Sequence, residues 1–182
     1  MPAPLRALYD EHQSIAKLLK ALERQGAVLR EGGAVKLDVI ARALQYFVHY
    51  PDLVHHPMED LVYQRLIVRD PDIADRIDNI VAEHEAMDAR TRAFLALMEL
   101  PKAGDLAWLA AVSDHLEDFI AAYWRHLKIE EGALFPRAHS KLTAADWADI
   151  EAAIDPRHDP LFGADVDRQY RELRGEILRS GA

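Results

Sequence analysis

Along most of the chain, apolar residues recur at intervals of three and four, the period of a helix with one buried face. A first stripe runs Leu5, Leu8, His12, Ile15, Leu19, Leu22, Gly26 and Leu29, and Gly32-Gly33 ends it. A second runs Ile40, Leu44, Phe47, Pro51, His55, Met58, Val62 and Leu66, stopping before Asp70-Pro71. Pro51 and Pro57 are expected to kink or interrupt this helix, because proline lacks an N–H and crowds the preceding turn. Asp70 reads as the N-cap of a third helix with Pro71 at its first position. That helix turns Ile73, Ile77, Ile80, His84, Met87, Thr91, Phe94 and Met98 inward and ends near Pro101. Gly104-Asp105 opens a fourth, with Leu106, Leu109, Val112, Leu116, Phe119, Tyr123, His126, Glu130 and Leu134 inward until it fades near Pro136. Thr143 reads as the N-cap of a short helix to Ile154, and a loop with Pro156 and Pro160 leads to a last helix over 165–179.

No strand-like alternation occurs, so the chain is all-α. Four long helices on short connections make antiparallel neighbours, hence an up-down-up-down four-helix bundle over residues 1–140. Residues 141–182 form a helical extension expected to pack on it. Whether that extension covers one end of the bundle or mediates self-association, as in a homo-oligomer, is left open at this stage.

The stripes carry histidine where leucine is expected: His12, His55, His84 and His126 fall one per helix on inward faces. Two are followed four residues later by glutamate, in His55-x-x-x-Glu59 and His126-x-x-x-Glu130. Four residues advance a helix by about 400°, so both side chains leave one face. The halves also repeat: 84 − 12 = 72, 126 − 55 = 71 and 130 − 59 = 71, with Glu11-His12 matching Glu83-His84 and Glu59-Asp60 matching Glu130-Glu131. Two helix pairs related in this way pack about a pseudo-twofold axis that gathers four imidazoles and two carboxylates at one level of the core. Neutral imidazole suits iron, zinc or copper, and a carboxylate can bridge two cations. Two buried carboxylates without a cation must be paired or protonated. Six ligands shared by two metals differ from a closed structural zinc site, which takes four.

Composition narrows the chemistry. Lys plus Arg number 22 against 31 Asp plus Glu, a net charge of −9, which sets aside nucleic acid and anionic membranes as partners. There are no cysteines, so thiol catalysis, disulfides and Cys-ligated clusters are excluded, and any metal must rest on imidazole and carboxylate. The opening Met1-Pro2-Ala3-Pro4-Leu5-Arg6 leads into an amphipathic pattern rather than an apolar signal segment, and no run of about 20 apolar residues spans a membrane. Cytoplasm is the expected location.

At His12, His55/Glu59, His84 and His126/Glu130 the chain resembles the hemerythrin-like family, the HHE cation-binding domain. The flanking words Tyr50-Pro51-Asp52-Leu53-Val54-His55-His56-Pro57 and Glu130-Glu131-Gly132-Ala133-Leu134-Phe135-Pro136 are similar too, and the resemblance covers roughly residues 5–140. It implies two iron ions joined by carboxylates and an oxo or hydroxo bridge, with dioxygen, nitric oxide or peroxide as ligand; manganese or zinc could occupy the same ligands. The oxygen-carrying relatives have a second histidine one turn from the first on the third helix. Here those positions are Ile80 and Asp88, so Asp88 either supplies a ligand or stays solvated. That departure points from simple oxygen carriage toward sensing, scavenging or redox work. Ferritin-like proteins place glutamate three residues before histidine; the order here is the reverse.

Among the remaining candidates, His56 adjoins a ligand and reads as an outer contact or a surface group. Tyr9 and Tyr123, three residues before His12 and His126, line the core and could hydrogen-bond a bound oxygen species. His49, His115, His139 and His158 read as structural or exposed. Three functions remain in competition: a binding or sensing protein for oxygen, nitric oxide or peroxide; a redox enzyme, for example decomposing peroxide; and an iron donor. Any signalling output needs a protein partner that the sequence does not name.

Overall fold

The computed structural model describes residues 1–99, 105–154, 159–163 and 166–179, apart from the side chains of residues 52 and 53. Helix α1 (Ala3–Arg30) runs the length of the bundle. Its end is a glycine cap: Gly32 has φ 69°, its N–H reaches Leu29 O at 3.1 Å, and the Gly33 N–H reaches Val28 O at 2.9 Å. The second stripe is realised as α2 (Leu37–Tyr50), a π-helical turn (Pro51–His55) and α3 (His56–Arg69). Pro51 thus interrupts the helix as expected, and the chain absorbs it by widening one turn; the His56 N–H bonds to Pro51 O. Pro57 sits in the first turn of α3, where its missing N–H costs no bond.

After a 3₁₀ turn (Pro71–Ile73), α4 (Ala74–Met98) and α5 (Leu106–Ile129) complete the four-helix core. Asp105 caps α5 by accepting from the N–H groups of Ala107 and Trp108. Asp70 occupies the expected N-cap position, yet its carboxylate makes no cap bond and pairs with Arg137 instead. A second π-helical turn (Glu130–Leu134) leads into α6 (Phe135–Lys141). Pairwise packing of α1 with α5, α5 with α4, α4 with α2 and α2 with α1 closes the ring of antiparallel neighbours. No strand occurs among the described residues, and no helix among them is long and apolar enough to cross a membrane.

The core is divided in two. One apolar cluster gathers Ile15, Leu19, Leu44, Phe47, Met87, Phe94, Leu116 and Phe119; the other gathers Leu8, Met58, Val62, Tyr63, Ile80, Leu134 and Phe135. On α1 and α4 the residues between them are His12 and His84. The extension serves both clusters. Helix α7 (Ala144–Ala153) packs on α1 and α3 and adds Trp147 and Ile150 to the second. Leu161, Tyr170 and, on α8 (Arg171–Arg179), Leu173 and Ile177 join the first. The last helix therefore starts later than the expected 165, after a 3₁₀ turn (Arg168–Tyr170). Pro101, Gly104, His158, Asp165 and the 155–158 part of the proline loop lie outside the described residues.

Helix α7 is fastened by Asp146. Its carboxylate closes a reciprocal capping box with Thr143 and takes both Arg69 Nε and Nη2 at 2.9 Å. Arg69 and Thr143 hold the carboxyl well below its ordinary value of 3.8, and Arg137 likewise lowers Asp70. Carboxyls depressed in the folded state add stability above about pH 4, lost as pH falls through their folded values. Melting temperature is therefore expected to fall progressively from about pH 5 down to about pH 1, and Asp146→Asn is expected to flatten that fall while lowering stability at neutral pH. An unchanged acid profile in the variant would contradict this role for the pair.

Candidate metal centre

The layer between the two apolar clusters holds His12, His55, Glu59, His84, His126 and Glu130, all buried, the two glutamates with no exposure at all. The four histidines point Nε2 inward: His12 Nε2 lies 3.2 Å from His55 Nε2, and His84 Nε2 lies 3.1 Å from His126 Nε2. Glu59 Oε1 sits 3.1 Å from His55 Nε2 and 3.6 Å from His12 Nε2, while its Oε2 sits 3.4 Å from His84 Nε2. Glu130 Oε2 is 3.2 Å from His126 Nε2 and 3.4 Å from His12 Nε2. Two groups of potential ligand atoms result, one from His12, His55, Glu59 and Glu130, the other from Glu59, His84, His126 and Glu130. Within each group the atoms lie within 4.8 Å of one another. Both carboxylates belong to both groups.

Outside this layer, carboxylates orient the imidazoles. His55 Nδ1 meets Glu11 Oε2 at 2.7 Å, His12 Nδ1 meets Glu131 Oε1 at 3.1 Å, and His126 Nδ1 meets Glu83 Oε2 at 3.3 Å. An imidazole that donates through Nδ1 keeps its Nε2 lone pair free, and here those lone pairs face the centre. His84 is braced differently, by the His56 ring stacked at 4.0 Å and 12°. Glu11, Glu83 and Glu131 adjoin the histidines and glutamates of the layer in sequence, but each serves a histidine on an element other than its neighbour's.

The electrostatics describe a site that calls for positive charge. Burial pushes the Glu59 carboxyl up, yet His55, His12 and His84 outweigh it and hold the group well below its ordinary value. Glu130 is raised by burial and by the charge of Glu59, and His12, His84 and His126 still bring it down. Burial lowers His55, but Glu59 and Glu11 drive it well above its ordinary value; His12 and His84 are raised in the same way. For His126 burial prevails and the shift is downward. Glu59 Oε1 and Oε2 and Glu130 Oε2 have no hydrogen-bond partner. Buried carboxylate oxygens left unpartnered among inward lone pairs fit divalent cations held by imidazole and carboxylate, the donor set that also suits iron.

The other expected residues are placed apart from this layer. Asp88 Oδ2 accepts from Arg92 Nε at 2.8 Å and does not join the converging atoms. Tyr9 packs edge-on against Phe135 with centroids 5.2 Å apart. Tyr123 lies in the first apolar cluster, 4.5 Å from the Phe47 ring and 4.6 Å from Phe119. His49 Nδ1 donates to Gln45 O and His115 Nδ1 to Ala111 O, both within their own helices. The phenol that does reach the layer is Tyr63, whose O–H donates to Glu130 Oε1 at 2.7 Å. Sequence spacing gave no sign of it, because Tyr63 follows Glu59 by one turn and contacts the glutamate of the other half.

The family model for the hemerythrin HHE cation binding domain matches residues 3–138. No curated protein and no solved structure matches the chain.

Because Glu59 is neutralised from within, removing one of its imidazoles should be costly even without metal. In chelator-treated protein, His55→Ala is expected to lower the unfolding free energy by about 3–5 kcal/mol, the range for an uncompensated buried charge. Urea unfolding at neutral pH measures this, and a loss under about 1 kcal/mol, typical of an exposed pair, would contradict it.

Proposed function

The chain belongs to the hemerythrin HHE cation-binding family, and on that footing we propose that it holds two iron ions on His12, His55, Glu59, His84, His126 and Glu130 and binds or senses dioxygen, nitric oxide or peroxide there. The observation that carries this reading is the sharing of Glu59 and Glu130 between two buried four-residue groups. Carboxylates placed between two sets of imidazoles are suited to bridging two cations rather than chelating one. When bound, a carboxylate-bridged iron pair supplies coordination positions and one-electron chemistry for a diatomic or peroxide ligand. Manganese and zinc are the competing occupants of the same donors.

The rest of the arrangement belongs to the chain itself. Glu11, Glu131 and Glu83 set the tautomers of His55, His12 and His126, and the two apolar clusters keep bulk water from the layer. A groove of about 570 Å³ lined by His12, Ala16, Trp124, Leu127, Glu131 and Gly132 brings the surface to one edge of the layer. It offers a small ligand an approach to the His12 side. Tyr63 favours binding or sensing over turnover: its O–H is already given to Glu130 Oε1 at 2.7 Å rather than turned toward an incoming ligand.

Protein purified in air is expected to carry about two irons per chain and near-ultraviolet charge-transfer absorption. Both should be lost in His126→Ala and Glu130→Ala, with helical circular dichroism retained. Nitric oxide and peroxide should change the spectrum stoichiometrically with slow turnover. Folded protein that stays colourless after anaerobic ferrous loading and exposure to air would overturn the reading, and fast catalytic peroxide decomposition would move it to the enzyme class.

A further inference from the structure

The repeat makes Glu59 and Glu130 equivalent, and one side chain breaks that equivalence. Adding the offset of 71 to Tyr63 gives Leu134, so the phenol that bonds Glu130 has an alkyl group as its counterpart in the other half. Both residues are buried, Tyr63 at 1% and Leu134 at 0% exposure, and both belong to the second apolar cluster. A buried phenol needs an acceptor and a buried carboxylate needs donors, so the 2.7 Å bond from Tyr63 to Glu130 Oε1 satisfies both. Leu134 can offer Glu59 nothing of the kind, and both Glu59 oxygens remain unpartnered.

The two carboxylates accordingly face the imidazoles differently. Glu59 directs Oε1 to His55 at 3.1 Å and Oε2 to His84 at 3.4 Å, one oxygen to each group. Glu130 directs the single oxygen Oε2 to both groups, His126 at 3.2 Å and His12 at 3.4 Å. Its Oε1, held by Tyr63, is 3.8 Å from His84.

We infer that Tyr63 is a positioning residue that fixes Glu130 so that one oxygen is shared by both cation positions, whereas Glu59 spans them with two. The inference rests on the two-cation reading above. Its effect is to make the two carboxylates unequal: the His12/His55 position meets Glu59 Oε1, the His84/His126 position meets Glu59 Oε2, and both share the single oxygen Glu130 Oε2. Tyr63 also couples occupancy to a spectroscopic reporter, since a cation on Glu130 draws charge from the oxygen that the phenol bonds.

Zinc tests this without involving turnover, being colourless and redox-inert. Titration of the cation-free protein is expected to shift the tyrosine ultraviolet band to shorter wavelength, with saturation at two zinc ions per chain. Most of that signal should vanish in Tyr63→Phe. It should persist in Tyr50→Phe, whose phenol donates to Glu11 instead. In crystals of zinc-loaded wild-type protein, Glu130 Oε1 should remain on Tyr63 with Oε2 facing both ions, and in Tyr63→Phe the carboxylate should turn to span them as Glu59 does. Zinc binding that leaves the tyrosine band unmoved, or a wild-type Glu130 that spans the ions with both oxygens, overturns the inference and leaves the two-cation reading standing. Failure of the wild-type protein to take up zinc or iron overturns that reading and the inference with it. The wild-type crystal decides even where Tyr63→Phe does not fold.

Discussion

Two carboxylates without solvent contact, Glu59 and Glu130, need positive charge from within the bundle, and the rest of the structure is arranged around that need. The two carboxylates in turn raise His55, His12 and His84 above their ordinary values, so these imidazoles hold protons more readily. Metal ions and protons compete for the same imidazole lone pairs, so cation binding opposes that protonation. A purely apolar layer would fold with less electrostatic cost, since buried ion pairs contribute little net stability against hydrophobic replacements. The polar layer is therefore understandable as a binding site more readily than as a stabilising device.

Holding such a layer in register requires rigid surroundings, and the fold supplies them on three levels. Apolar clusters on either side fix the heights of His12 and His84 between their flanking leucine, isoleucine and methionine neighbours. A wide π-helical turn precedes α3 and another precedes α6, each taking up one residue where a proline meets the helix beside the site. Carboxylates from Glu11, Glu83 and Glu131 then set the imidazole orientations. The extension contributes indirectly, by adding Trp147 and Ile150 to one cluster and Leu173 and Ile177 to the other.

The helical stripes were legible in the sequence because each core-facing position is apolar except where the layer crosses it. The six residues that the structure brings together stood out for the same reason: histidine at leucine positions, with a repeat of 71 to 72 residues linking the halves. What lay beyond the sequence were contacts between helices. Tyr9 and Tyr123 had the suggestive spacing, yet a residue three before another lies about a turn away along the axis, and both rings pack into apolar surroundings. Tyr63 had no such spacing and reaches Glu130 across the bundle. Glu11 and Glu83 carried a usable signal in the repeated Glu-His pair, although its meaning required knowing that each bonds a histidine of a different helix. The last helix starts later than expected because, after Val166, the charged and polar residues 167–169 give the helical pattern no further apolar anchor until Tyr170 and Leu173.

The central claim is that two irons share carboxylates in one buried layer, and Mössbauer spectroscopy of protein loaded with the iron-57 isotope tests it most directly. A bridged ferric pair couples to a diamagnetic ground state, so a quadrupole doublet without magnetic splitting in a weak applied field at liquid-helium temperature is the expected result. A magnetically split spectrum of isolated ferric ions would contradict it, because it would place the irons on separate sites with no ligand in common.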